Sequence, residues 1–226
     1  MQIRNTSGEV LQEVPGDTLV NANLSGLDLS GADLSGADLR GAALRETRLR
    51  DAKLSRANLS RANLTMAGLH WANLSEADLT EANLSWANLR RADLSMVDLT
   101  KVNLSEADMA GAHIEGTILP PPLTPSEGDF TGYKKVLQAD GTYTVITLRI
   151  PTFAQRTSAL VSRKCRASHV IVVEGTGVSP TKASRKLTYT PGVIVTADHF
   201  DPDRREECTH GIHFFLTREE AEAYQP

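Results

Sequence analysis

From Leu19 to Ile114 a large apolar residue returns at every fifth position: Leu19, Leu24, Leu29, Leu34 and onward through Leu104, Met109 and Ile114, twenty in all. Two residues before most of them lies something small, Ala22, Ala32, Ala37, Ala42, Ala52 and so on, with Leu27, Thr47, Val97 and Val102 as departures. A period of five is neither the 3.6 of a helix nor the two of a flat strand. Units this short cannot fold alone and bury their apolar positions only by stacking. If each unit forms one side of a square and turns the corner, the Leu and the small residue point inward and three residues face water. Four sides then close a coil of 20 residues, and twenty units give five coils. At a strand spacing of about 4.8 Å the stack is roughly 24 Å tall.

The run Ala32-Asp33-Leu34-Ser35-Gly36-Ala37-Asp38-Leu39-Arg40-Gly41 resembles the A(D/N)LXX signature of pentapeptide-repeat proteins. The resemblance covers about 100 of the 226 residues and implies a right-handed quadrilateral β-helix. The departures at Leu27, Thr47, Val97, Val102, Met109 and Ile114 imply a locally looser or wider tube. The expected fold class is therefore mainly β, with a β-helix of about five coils followed by a small α+β domain.

Four segments follow in chain order. Residues 1–17, with Gly8-Glu9-Val10-Leu11 and Pro15-Gly16, read as an N-terminal cap over the open end of the helix, whose backbone groups need partners. Residues 18–118 are the β-helix. Residues 119–128, which contain Leu119-Pro120-Pro121-Pro122, are a proline-rich linker. Residues 129–226 are the α+β domain. In that domain Asp140-Gly141 predicts a hairpin between Lys135–Gln138 and Tyr143–Ile150. Pro191-Gly192 predicts a second between Lys186–Tyr189 and Val193–Thr196. His169–Glu174 reads as a central strand and Ile212–Phe215 as a buried one. Thr217-Arg218-Glu219-Glu220 fits a capping box opening a short helix through Tyr224.

Positions 20 apart share a face, so the tube's surface can be read in columns. Asn23, Ala43, Asn63, Asn83 and Asn103 form one, and their amides are expected to hydrogen-bond up the stack. Glu46, Met66, Trp86 and Glu106 form another, beside Asp51, Trp71, Arg91 and Gly111. Met66, Trp71 and Trp86 thus cluster where the repeat demands exposure, which marks a contact surface for a partner or for the chain's own C-terminal domain. Arg91 over Trp71 as a cation–π pair would need no partner.

Composition narrows the classes. Aromatics are 5% of the chain, so the core is aliphatic. No apolar run is long enough to cross a bilayer, and the first residues lack a signal-peptide core, so a soluble, cytoplasmic protein with no membrane partner is expected. Two cysteines make no disulfide framework. Net charge is −4. Some pentapeptide-repeat proteins mimic duplex DNA and bind type II topoisomerases, a role that wants dense negative charge. Residues 20–117 carry ten Lys or Arg against 13 Asp or Glu, a poor copy of it.

The C-terminal half offers candidate chemistry. Cys165, Cys208, His210 and His213 are zinc-ligand types and also a possible thiolate and base, although their spacing matches no catalytic loop. Buried packing is the plainer reading, so neither a metal nor a cofactor is expected. Arg156, Arg163, Lys164, Arg166, Lys182, Arg185 and Lys186 make residues 156–186 locally basic, with Arg163, Lys164 and Arg166 as its cluster, but few aromatics accompany it, which argues against nucleic acid. Lys164-Cys165-Arg166-Ala167 and the segment from Phe200 to Ala221 resemble an uncharacterised domain of bacteriophage and large-virus proteins, often found beside pentapeptide repeats. That resemblance implies a phage origin and a host-cytoplasm setting, and no activity. The expectation is a non-enzymatic interaction protein that binds a host macromolecule, most plausibly a protein. The alternatives are a DNA mimic, usually dimeric, and an enzyme in the C-terminal domain.

Overall fold

The structure, a computed structural model, describes residues 1–180, 186–205 and 210–226. It divides into two compact units, Met1–Pro121 and Pro122–Pro226.

The first unit opens with an antiparallel pair, β1 (Gln2–Arg4) and β2 (Val10–Glu13). Asp33 N–H donates to Arg4 O at 2.8 Å and Asn5 bridges Ala32, so this pair lies along the first coil and gives its outer backbone groups partners. Beyond it the chain winds as a right-handed quadrilateral β-helix with a twenty-residue circuit. Asn23 pairs in parallel with Ala43, Ala43 with Asn63, Asn63 with Asn83 and Asn83 with Asn103. The every-fifth leucines from Leu24 to Leu99 are at most 4% exposed, and the alanines from Ala42 to Ala92 two places before them are at most 5% exposed. Burying a leucine contributes about 2 kcal/mol, so the ladder supplies most of what holds this unit.

The five-residue grammar has a local cause at each letter. Asn or Asp precedes the leucine because its Oδ1 accepts the N–H two residues on, as Asp28 does from Ser30 at 3.1 Å and Asn63 from Thr65 at 3.1 Å. The asparagine column therefore spends its acceptors on these local turns, and the expected amide ladder up the stack is corrected accordingly. Each leucine carbonyl accepts the N–H three residues on, as Leu29 does from Ala32 at 3.0 Å, which closes a turn at the corner. The residue before that alanine sits in the left-handed region. Glycine fills it at Gly26, Gly31, Gly36 and Gly41, but Met66 (φ 58°), Trp71 (63°) and Trp86 (62°) adopt the same conformation. Thr47, one of the departures, is fully buried and donates its hydroxyl to Leu24 O at 2.8 Å, so the coil keeps its course.

Among the described residues the second unit holds nine strands: β3 (Phe130–Leu137), β4 (Tyr143–Ile150), β5 (Arg156–Ser158), β6 (Cys165–Ala167), β7 (His169–Glu174), β8 (Gly177–Val178), β9 (Thr188–Tyr189), β10 (Ile194–Thr196) and β11 (Ile212–Phe214). They form an antiparallel six-stranded sheet, order β10-β7-β4-β3-β8-β9, and a three-stranded sheet, order β11-β6-β5. A bridge from Tyr133 to Phe215 joins them. The core is Val136, Ile146, Leu148, Val170, Val172, Tyr189, Ile212 and Phe214 with their neighbours. Helix α1 (Arg218–Ala223) starts on the expected capping box of Thr217 and Glu220. The Asp140-Gly141 hairpin is present as β3 and β4. The second expected hairpin is not: β9 pairs with β8 and β10 with β7, on opposite edges of the sheet.

Candidate functional site

Two corner columns of the β-helix bound one face. The first runs Gly26, Glu46, Met66, Trp86, Glu106, and the second Gly31, Asp51, Trp71, Arg91, Gly111. Between them the flat side presents Asp28, Arg48, Gly68, Asn88 and Asp108, each bridged to the next. Met66, Trp71 and Trp86 are 47%, 50% and 59% exposed. Their corner positions have no folding requirement for a large side chain, because glycine occupies the same place two or three coils earlier. A non-glycine residue there costs about 1–2 kcal/mol, so the corner displays a side chain at the expense of the fold.

Polar groups frame the apolar ones. The Arg91 guanidinium lies 4.8 Å from the centre of the Trp71 ring, the cation–π pair that the column spacing anticipates. Arg45 Nη2 lies 3.7 Å from Met66 Sδ. Gly68 leaves a notch between Met66 and His70, since a Cβ there would meet only backbone, at 3.9 Å. His70 Nδ1 borders it, buried and without a hydrogen-bond partner. Sequence reasoning missed Met96, 67% exposed, on the next corner column with Gly36, Arg56, Glu76 and Gly116. Its signal was a methionine in a corner place otherwise held by charge or glycine.

Charge on the tube is interleaved. Arg56 pairs with Glu76 at 3.1 Å and Arg61 with Glu81 at 2.9 Å, each one coil up. Arg48 meets Asp28 at 3.6 Å and Arg90 meets Asp108 at 3.2 Å. Seven cations, Arg40, Arg45, Arg48, Arg50, Lys53, Arg56 and Arg61, ring the length of a single coil.

Among the described residues the C-terminal candidates do not converge. Cys165 is fully buried on β6, and burial pushes its thiol up to about 12, so no thiolate is at hand near neutral pH. Cys208 lies outside the described residues. His210 is exposed, its ring 5.4 Å from that of His199, whereas His213 sits on β11. No group of three or more His, Cys, Asp or Glu among the described residues can hold a metal. The basic cluster is also corrected. Strand β6 is the middle strand of its sheet, so Lys164 and Arg166 are 5% and 1% exposed, and Arg166 donates to Asp203 O. Arg163 alone of the three reaches the surface, where it pairs with Glu220. A further buried cation, Lys134, had no sequence signal: its Nζ donates to His213 O at 2.9 Å, and desolvation, with the charge of Lys164, brings its ammonium down to about 8.

With this geometry in place, comparisons with known proteins divide the chain at the same point. Residues 18–119 match pentapeptide repeats in three stretches, 18–56, 42–81 and 82–119, and residues 121–221 match a family of unknown function (DUF5758). Similar solved structures include the pentapeptide-repeat protein Rfr23 of the cyanobacterium Cyanothece 51142, 41% identical over 41% of this chain and 63% of its own, with a TM-score of 0.40. HetL, a pentapeptide-repeat protein involved in heterocyst differentiation regulation in Nostoc sp. strain PCC 7120, is 34% identical over 46% of this chain and 53% of its own (TM-score 0.18). QnrB1, a plasmid-mediated fluoroquinolone resistance protein, is 24% identical over 43% and 55% (TM-score 0.26). This chain thus spans less than two thirds of each. No curated protein is significantly similar to it. Among the described residues no helix is long and apolar enough to cross a membrane.

Proposed function

We propose, for a chain that carries a pentapeptide-repeat β-helix over residues 18–119 and a domain of a family of unknown function over residues 121–221, a non-enzymatic interaction protein whose rigid tube docks a partner protein. The single observation that carries this reading is the corner face of Met66, Trp71 and Trp86, exposed apolar groups framed by Arg45 and Arg91. Tryptophan and arginine are the side chains that most often dominate protein interfaces. The tube is held by backbone bonds at every coil, so little ordering entropy is lost when it docks. Resemblance of the C-terminal segment to phage and large-virus domains supports a phage-encoded protein at work in a host cytoplasm.

DNA mimicry is the second reading, suggested by the resemblance to pentapeptide-repeat proteins, some of which bind type II topoisomerases. It needs a continuous negative stripe, and the seven cations of a single coil, each beside an acidic residue or a neighbouring coil, favour the first reading instead. The test is quantitative capture from host extract with wild type and with Trp71→Ala/Trp86→Ala. The expected result is recovery of a specific protein reduced at least tenfold by the double variant with melting unchanged. Equal recovery by both would discard the face as the contact site.

A further inference from the structure

Strands β9 and β10 are the two edges of the six-stranded sheet, and both line one cleft. Strands β9 and β10 flank Pro191-Gly192 as the arms of a hairpin would, yet they do not pair with each other. Instead they border a cleft of about 390 Å³ lined by Lys186 to Thr188 on one wall and Val193 to Thr196 on the other.

Antiparallel strands bond at alternate residues, so the register tells which backbone groups point into the cleft. Val172 N–H donates to Val193 O at 3.1 Å and Ala197 N–H to Ser168 O at 2.9 Å. Residues 193, 195 and 197 therefore bond to β7, and the N–H and C=O of Ile194 and Thr196 turn toward the gap. On the other wall Ser179 N–H donates to Leu187 O at 2.9 Å, so 187 and 189 face β8 and Thr188 turns its backbone to the gap. Among the described residues none of these outward groups finds a backbone partner. Side chains complete the pattern. Val195 lines the cleft buried, at 6%, while Val193 and Ile194 stand 48% and 53% exposed. Lys186 adds an exposed cation with no ion pair among the described residues.

We propose that this cleft receives one extended segment of a partner protein, bound by β-strand addition between β9 and β10. Both walls offer main-chain donors and acceptors in strand register, which is the recognition chemistry of an extended peptide. Val193, Ile194 and Val195 call for apolar side chains at alternate positions of that peptide, and Lys186 calls for a carboxylate at the end beside it. A second copy of the domain brings a whole sheet and has no single strand to place between two walls. The cleft belongs to the second unit and the tryptophan face to the first, and they share no residue, so the two readings are tested independently.

The test selects peptides from a displayed random dodecapeptide library on the full chain and measures their affinity. Binders should carry alternating apolar residues and an acidic residue. They should lose at least tenfold in affinity to Ile194→Pro, which removes one outward N–H and leaves the bonded positions of β10 intact, and they should be insensitive to Trp71→Ala/Trp86→Ala. Backbone N-methylation at alternate peptide residues should abolish binding in either register, because successive peptide amides face opposite walls. Hydrogen exchange at the Ile194 and Thr196 amides should slow on binding. Should Ile194→Pro fail to fold by thermal melting, Thr188→Pro tests the opposite wall. Peptides that bind wild type and both proline variants equally would overturn the proposal, as would a selection with no binders and unchanged exchange. A wild-type dimer in sedimentation that Ile194→Pro dissolves would assign the gap to a second copy and overturn it likewise.

Discussion

The two units obey different rules. In the β-helix the role of a residue is set by its place in a five-residue cycle, and everything it touches lies within the same turn or one coil away: Leu24 bonds to Ala43, and Arg56 to Glu76. In the C-terminal unit a residue's role depends on partners far along the chain, as when Lys134 donates to His213 O and Tyr133 bridges Phe215. A repeat fold is thus stabilised locally and leaves its corners free for display, whereas the second unit gains a closed core and pays with a buried cation and an unpaired seam.

The largest effect expected is in the tube's core. Leu64→Ala should cost about 2–5 kcal/mol, the usual range for a buried leucine, and hydrogen exchange should quicken in the coils around residue 64 while the amides of β4 and β7 keep their protection. Exchange that quickens equally in both units would break the distinction between local and long-range stabilisation.

The second unit should show its own dependence on pH. Lys134 titrates near 8 in the folded chain, below its ordinary value of 10.5. The unfolded state therefore binds more protons between those values, so stability should rise with pH from about 8 to 10.5 and be level below about 8, where both states carry the proton. Lys134→Met should flatten this dependence, as read by chemical denaturation at pH 7 and pH 10. A wild-type stability that is level over that range would refute the assignment.

The tube should respond at the other end of the scale. Hydroxyls of Ser30, Ser35 and Thr100 hold the carboxyls of Asp28, Asp33 and Asp98 below the usual carboxylate range. Their stabilisation is fully present above about pH 4, the ordinary carboxylate value, and is lost as pH falls through the depressed one. Asp→Asn at these three positions keeps the acceptor, as Asn58, Asn63 and Asn73 already do with their own neighbours. The triple variant should therefore melt with less acid sensitivity than wild type, and an unchanged acid profile would count against these turns as its source.

The smallest effect is the most diagnostic. Trp86→Gly should leave the tube as stable as wild type or more stable by up to about 1 kcal/mol, because glycine adopts the left-handed corner without strain. A loss above about 2 kcal/mol, the scale of a buried apolar side chain, would mean that Trp86 serves the fold after all.

The same contrast explains what could be read in advance. The circuit, the inward leucines and the Arg91–Trp71 stack were legible because each follows from counting positions in steps of five and twenty. The left-handed corner was written there too, in the Ser-Gly steps at Gly26, Gly31 and Gly36, but its meaning lies in backbone geometry that hydrophobic spacing does not encode. In the second unit the Asp140-Gly141 hairpin was legible because its pairing is local. Pro191-Gly192 misled for the same reason: the local turn is real, with Val193 N–H donating to Thr190 O at 3.1 Å, but each arm pairs with a strand whose position the turn cannot reveal. Likewise Lys164 and Arg166 read as surface charge because nothing in Lys-Cys-Arg announces the middle strand of a sheet.

Both tryptophans of the chain, Trp71 and Trp86, lie on the proposed docking face. Intrinsic tryptophan emission of the intact protein therefore reports that face alone. The account predicts efficient acrylamide quenching in the free protein, with a blue shift and loss of quenching when the captured partner is titrated to saturation. Emission and quenching that stay unchanged at saturation would contradict it.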